Sequence, residues 1–170
     1  MLNVPESYDF DDKEVVLETK TQFELECLVN GEVMPIEEAS DSMFAHKLMG
    51  DGIMIRPYDG VVVAPCDGII SMVYPTKHAI GITIDDNTQI LIHFGTDSAK
   101  LNGKGFELLV KPNQKVKAGD VLWNADLTYI KENALDENII VVFTKIKDGA
   151  ELEKKYGKMQ CHDMMLRVKG

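Results

Sequence analysis

Long apolar runs are missing from this chain of 170 residues. The longest, Val61-Val62-Val63-Ala64 and Ile139-Ile140-Val141-Val142-Phe143, are strand-sized, so no segment is expected to span a bilayer. The amino terminus, Met1-Leu2-Asn3-Val4-Pro5-Glu6, lacks the basic start and apolar stretch of a secretory signal, and a cytoplasmic location is expected. Cysteine is scarce. Cys27, Cys66 and Cys161 are odd in number and widely spaced, which offers neither a disulfide framework nor a zinc cluster and leaves them as small core residues. Basic residues are outnumbered, 18 Lys and Arg against 28 Asp and Glu, for a net charge of −10. Such a surface repels nucleic acid and anionic membranes and suits a basic protein partner.

What is there is short strands. From Thr21 the pattern is two-fold, Phe23, Leu25, Cys27 and Val29 alternating against Gln22, Glu24, Glu26 and Leu28, which predicts a half-buried strand ending at Asn30-Gly31. Further apolar stretches follow about every ten residues, punctuated by Asp51-Gly52, Asp59-Gly60, Asp67-Gly68, Asn102-Gly103 and Ala118-Gly119-Asp120. The expected fold is all-β, an antiparallel, barrel-like β-sandwich with a few short helical turns. Ser40-Asp41 should cap one turn into Met43-Phe44-Ala45-His46, and Asp126 a helix over 127–134. Residues 1–20, rich in Asp and Glu, read as an acidic arm preceding a single domain over 21–170.

Two of only four histidines lie in one expected β-hairpin, with strands 78–84 and 89–94 joined by Asp85-Asp86-Asn87-Thr88. With those four residues as the loop, Ile84 faces Gln89, Ile82 faces Leu91 and Ile80 faces His93. His78, two residues from Ile80 on the same face, becomes the diagonal neighbour of His93. Diagonal neighbours are roughly 7–8 Å apart, within reach of two imidazoles, whereas a slip of one residue would separate them.

Two adjacent imidazoles without a serine, close cysteine or third metal ligand suit one chemistry in particular. A neutral imidazole is a good nucleophile near pH 7, and its phosphorylated form hands the group on readily. The second ring can then donate an N–H to the phosphoryl oxygens. After His93, Gly95 lacks a side chain and would let a partner's backbone approach, and Asp97 adds a carboxylate. On sequence grounds a turn explains both equally well.

The stretches Thr76-Lys77-His78-Ala79-Ile80-Gly81-Ile82 and Ile90-Leu91-Ile92-His93-Phe94-Gly95-Thr96-Asp97, followed by Leu101-Asn102-Gly103-Lys104-Gly105-Phe106, resemble the two histidine motifs of the glucose-family enzyme IIA of the bacterial phosphoenolpyruvate-dependent sugar phosphotransferase system. Asp41 to Ala45, Gly50 to Pro57, Val63 to Gly68, Val116 to Asp120 and Asn138 to Phe143 also resemble that family, so the likeness runs from about Thr21 to the carboxyl end. The resemblance implies an enzyme IIA phosphocarrier domain. In it His93 accepts a phosphoryl group from the histidine phosphocarrier protein and passes it to a cysteine of an enzyme IIB component or permease during sugar uptake. It also implies that His78 stabilises the phosphoryl group, that Thr76 hydrogen-bonds His78 and fixes its tautomer, and that Asp41 and Asp97 meet an arginine of the carrier. Phe44 would belong to an apolar ring and Gly95 to the contact surface. No cofactor is implied, although His78 and His93 could share a zinc ion with a ligand from a partner, and regulatory targets could bind the unphosphorylated form. Thr96, Ser98, Ala99 and Leu28 depart from the family's pattern.

Two alternatives carry other chemistry. A zinc metallopeptidase on a related β-fold would need a third protein ligand, and His46 and His162 are remote in sequence. A lipoyl- or biotinyl-type carrier would need a lysine at a tight hairpin tip. The sugar is not encoded at a site that touches only protein partners. Met1 and the acidic arm suit a free-standing chain.

Overall fold

The computed structural model describes residues 22–170; the acidic arm expected over 1–20 lies outside the described residues. The strands are β1 (Gln22–Glu26), β2 (Gly31–Pro35), β3 (Gly52–Pro57), β4 (Val61–Val63), β5 (Gly68–Val73), β6 (Ala79–Asp85), β7 (Thr88–Thr96), β8 (Phe106–Leu108), β9 (Lys115–Val116), β10 (Val121–Ala125), β11 (Asp136–Lys145), β12 (Glu151–Lys154), β13 (Gly157–Met159) and β14 (Met164–Lys169). Helices are short. Asp41 caps α1 (Ser42–Ala45) by accepting from the Met43 amide at 2.9 Å, and Asp126 caps α2 (Leu127–Asn133) by accepting from Tyr129 at 3.1 Å. The strands pair antiparallel as β13-β2-β3-β11-β7-β6-β5-β9, flanked by the three-stranded sheets β1-β14-β12 and β4-β10-β8. The result is an antiparallel β-sandwich with few helices.

The large sheet is apolar on both faces at its centre, which explains the near-continuous run 139–143. Ile139, Val141 and Phe143 on β11, with Ile90, Ile92 and Phe94 on β7 and Ile80 and Ile82 on β6, join the main core around Trp123. The alternate residues Ile140 and Val142, with Met54, Ala79 and Leu91, form a smaller cluster beneath Ile36 and Phe44. The histidine pair belongs to this second face.

Two expectations fail locally. The first strand stops at Glu26 after a register shift, and Cys27, Leu28 and Val29 are all fully buried, so Leu28 is not on a polar face. There the chain crosses between sheets: Cys27 N–H donates to the Asp163 carbonyl and the Leu28 carbonyl accepts from Val63, leaving no wet side to sustain alternation. No disulfide joins the three cysteines. Cys27 and Cys66 are buried, whereas Cys161 is only half-buried in a surface turn rather than in the core.

Candidate functional site

His93 lies on β7 between Ala79 of β6 and Ile140 of β11. This differs from the expected register, which put Ile80 opposite it. The hairpin turn is Asp86-Asn87, tightened by the Asn87 amide donating to Asp85 Oδ1 at 2.8 Å, and Asp85 pairs with Thr88. One step further in, Thr83 pairs with Gln89, so Ile84 is an extra residue on β6. This bulge moves every later pair by one, and Ile80 faces Ile92 in the main core.

Continued alternation would then carry His78 to the face opposite His93, yet the two ring centroids are 4.7 Å apart, edge to face at 81°. His78 precedes β6 and sits in the connection from β5, where alternation does not apply. The Lys77 amide donates to the Tyr74 carbonyl at 2.8 Å, closing a turn around Pro75, and Lys77 itself is left-handed at φ 61°. Buried Trp123 anchors that turn by donating its indole N–H to the Lys77 carbonyl at 2.8 Å. The His78 carbonyl accepts from the Phe94 amide at 2.7 Å. The rings therefore meet by a turn and a bulge acting together, not by the diagonal pairing expected of a regular hairpin.

Around the pair the contacts are specific. Thr76 Oγ1 and His78 Nδ1 are hydrogen-bonded at 2.7 Å, and the Tyr74 ring stands edge-on to His78 at 5.2 Å. Phe44, delivered by α1, covers His93 at a centroid distance of 5.1 Å. His78 is only 3% exposed. Burial, helped by the neighbouring His93, drops its pKa from 6.5 to about 4. Burial also lowers the pKa of His93, opposed by Asp41, by the Gly95 backbone and by Asp136. His93 Nδ1 is buried with no aligned hydrogen-bond partner among the described residues, so the Gly95 backbone acts on it through proximity rather than a well-formed bond. Both rings are neutral at pH 7.

The structure thus brings together His78, His93, Thr76 and Phe44, with Asp41 within electrostatic reach. It does not place Asp97 against the histidines. Asp97 is exposed, left-handed at φ 56°, and ion-paired with Lys100 at 3.1 Å. Gly95 has a conformational reason for its identity. Its φ is +83°, and a Cβ there would sit 3.0 Å from Ser98 Cβ. Buried Ser98 holds this turn by donating to the Phe94 and Gly95 carbonyls at 2.7 and 3.0 Å. Tyr74, Ser98, Trp123 and Asp136 are additions that sequence reasoning missed. Tyr74 could have been found from its place two residues before Thr76, while the others depend on contacts that no local pattern announces.

Two neutral imidazoles, one fixed through Nδ1, make a nucleophile beside a donor. Among the described residues no group of three or more His, Cys, Asp or Glu side chains is placed to hold a metal ion, and no described helix is long and apolar enough to cross a membrane.

Residues 23–149 match the family model described as phosphoenolpyruvate-dependent sugar phosphotransferase system, EIIA 1. The chain is 45% identical over 142 residues to the PTS system glucose-specific EIICBA component of Staphylococcus carnosus (strain TM300), a match covering 83% of this chain and 21% of that protein's length. In three dimensions it is similar to the glucose permease IIA from Mycoplasma capricolum, with a TM-score of 0.83 and 30% identity over 87% of this chain and 96% of that one.

Proposed function

We propose a function on the premise that this chain belongs to the phosphoenolpyruvate-dependent sugar phosphotransferase system EIIA 1 family: it is a cytoplasmic phosphocarrier that receives a phosphoryl group on His93 and passes it to a cysteine of a sugar-specific enzyme IIB component. The donor is the phosphorylated histidine phosphocarrier protein. The observation that carries this reading is the ring pair at 4.7 Å with His78 held by Thr76. Because His93 Nδ1 is buried, Nε2 is the nitrogen left to react. Its lone pair forms the new N–P bond as the N–P bond to the carrier's imidazole breaks, and the ring proton stays on Nδ1 beside the Gly95 backbone. With the Thr76 hydroxyl donating to His78 Nδ1, the His78 proton sits on Nε2, where it can donate to the phosphoryl oxygens as charge builds on them. In the second step the enzyme IIB thiolate forms the S–P bond, the His93 N–P bond breaks, and neutral His93 is restored.

Phe44 and Ala79 keep this chemistry dry, and Asp41 and Asp97 form the rim that meets either partner, with Gly95 buried in the turn between His93 and Asp97. A zinc ion would find two imidazole nitrogens here and would need its remaining ligands from a partner. Nothing at the site favours the zinc-peptidase alternative.

Incubation with phosphoenolpyruvate and the two general phosphotransfer proteins, followed by mapping of acid-labile phosphate, tests the assignment. Phosphate is expected on His93 and absent from His93→Ala. His78→Gln should accept phosphate but pass it to a cysteine more slowly, by about 10²–10³-fold for loss of one transition-state donor. Phosphate found on His78 would reverse the roles.

A further inference from the structure

Asp136, the first residue of β11, takes no part in the transfer as described, yet it accepts three hydrogen bonds at the edge of the site. Oδ1 accepts from Thr96 Oγ1 at 2.7 Å and from the Asn138 amide at 3.0 Å, while Oδ2 accepts from Ser40 Oγ at 3.0 Å. Its donors come from three separate parts of the chain. Ser40 immediately precedes Asp41, which caps α1 and so sets where Phe44 meets His93. Thr96 stands between Gly95 and Asp97, and Asp97 is a non-glycine residue in a left-handed conformation that needs support from outside the turn. The Asn138 amide closes the irregularity by which β11 shifts register between Asp136 and Ile139, and this keeps Asp136 paired with Thr96.

We infer that Asp136 is a positioning residue for phosphoryl transfer: one carboxylate clamps the segment bearing Asp41 to the segment bearing Asp97 and so fixes the rim that a partner must meet. The inference rests on the phosphocarrier reading above. Short bonds from hydroxyl groups to a carboxylate are among the stronger ones available at a half-exposed position, and no other side chain joins these two segments among the hydrogen bonds of the described residues. The cap at Asp41 and the turn at Asp97 are each only a few residues long, so neither is rigid alone.

Three variants test this. Asp136→Ala removes every tether. The carrier concentration for half-maximal transfer should rise on the order of tenfold, the cost of a small misplacement of docking groups, while the maximal rate stays near wild type. Asp136→Asn keeps an acceptor for Thr96 and Asn138 and a polar partner for Ser40, and should behave as wild type. If the asparagine variant is as impaired as the alanine variant, charge rather than clamping is at work and the inference fails. Ser40→Ala, at an exposed position, cuts one tether without threatening the fold. Amide hydrogen exchange in the unphosphorylated protein gives a readout independent of transfer. Exchange at Met43, whose amide bonds Asp41, should quicken in Asp136→Ala and Ser40→Ala, and at Leu135, whose amide donates to the Thr96 carbonyl at 3.0 Å, only in Asp136→Ala. Unchanged exchange and an unchanged carrier requirement would overturn the clamp. A wild-type protein that accepts no phosphate would instead defeat the functional reading, with the exchange data still deciding whether Asp136 clamps the rim.

Discussion

Burial decides the chemistry of His78. An imidazole that must stay neutral in the folded chain but titrates normally in the unfolded one makes stability depend on pH in a fixed direction. The unfolded ring takes up a proton below about pH 6.5, whereas the native ring resists down to about pH 4. The contribution is therefore fully present above pH 6.5 and is lost as pH falls through that window. Between pH 7.5 and 5.0 the loss amounts to about 2 kcal/mol from this residue. Urea unfolding at the two pH values should show wild type losing more stability than His78→Gln by roughly that amount; equal losses would mean that His78 is not held neutral by the fold. At this scale the sequence was informative where partners are close in the chain. The Thr76 to His78 contact spans two residues and lies within one motif. Asp136 was invisible because its donors Ser40 and Thr96 lie 96 and 40 residues away, and a lone Asp before an apolar strand looks like any turn residue.

Strand identity and strand register were legible to different degrees. The β6 and β7 hairpin follows from apolar residues flanking Asp86-Asn87, and Ser40-Asp41 and Asp126 announced both helical starts, because a cap is a local signal, although only the structure singles out Asp41 as the first cap. The extra residue at Ile84 left no such signal. Ile84 is as buried as Ile82, so hydrophobicity could not say which of them falls out of step, and the face of His78 was set instead by left-handed Lys77 and its bond to Trp123. The turn after His93 shows how tightly such elements are constrained. Gly95→Ala forces a side chain into the left-handed region and brings Cβ to 3.0 Å from Ser98 Cβ and 3.4 Å from the Asp136 carbonyl. A loss of about 1–3 kcal/mol is expected in urea unfolding, together with weakened phosphate acceptance, since the same turn adjoins His93. An alanine variant as stable as wild type would show that the turn can relax without its glycine, and that Gly95 serves a partner's approach instead.

Across the whole molecule, the net charge of −10 acquires a direction only at the site. Asp41 lies within electrostatic reach of His93, and Asp97 is exposed at the end of the turn that follows it. An incoming basic, partly apolar carrier would be steered by such a rim, and steering between exposed charges weakens once salt shortens their range to about 8 Å or less. The β-sandwich and the uneven charge were readable from composition and turn spacing, but no local pattern marks Asp97 as shared with Lys100 at 3.1 Å. That pair makes the prediction specific. Lys100 competes with the carrier's basic group for Asp97, so Lys100→Ala should speed transfer from the phosphocarrier at low ionic strength, by about two- to fivefold for an exposed pair. Asp97→Lys and Asp41→Lys should slow it, and all three variants should converge toward the wild-type rate as salt is raised. Substitutions among the acidic residues of 1–20, such as Asp11 or Asp12, should have little effect if recognition is confined to this rim. Quench-flow measurement of phosphoryl transfer from the carrier across a salt series decides the matter. Rates indifferent to salt, or a slower Lys100→Ala variant, would mean that Lys100 and Asp97 act together as a structural pair and that the carrier docks without using the charge of this rim.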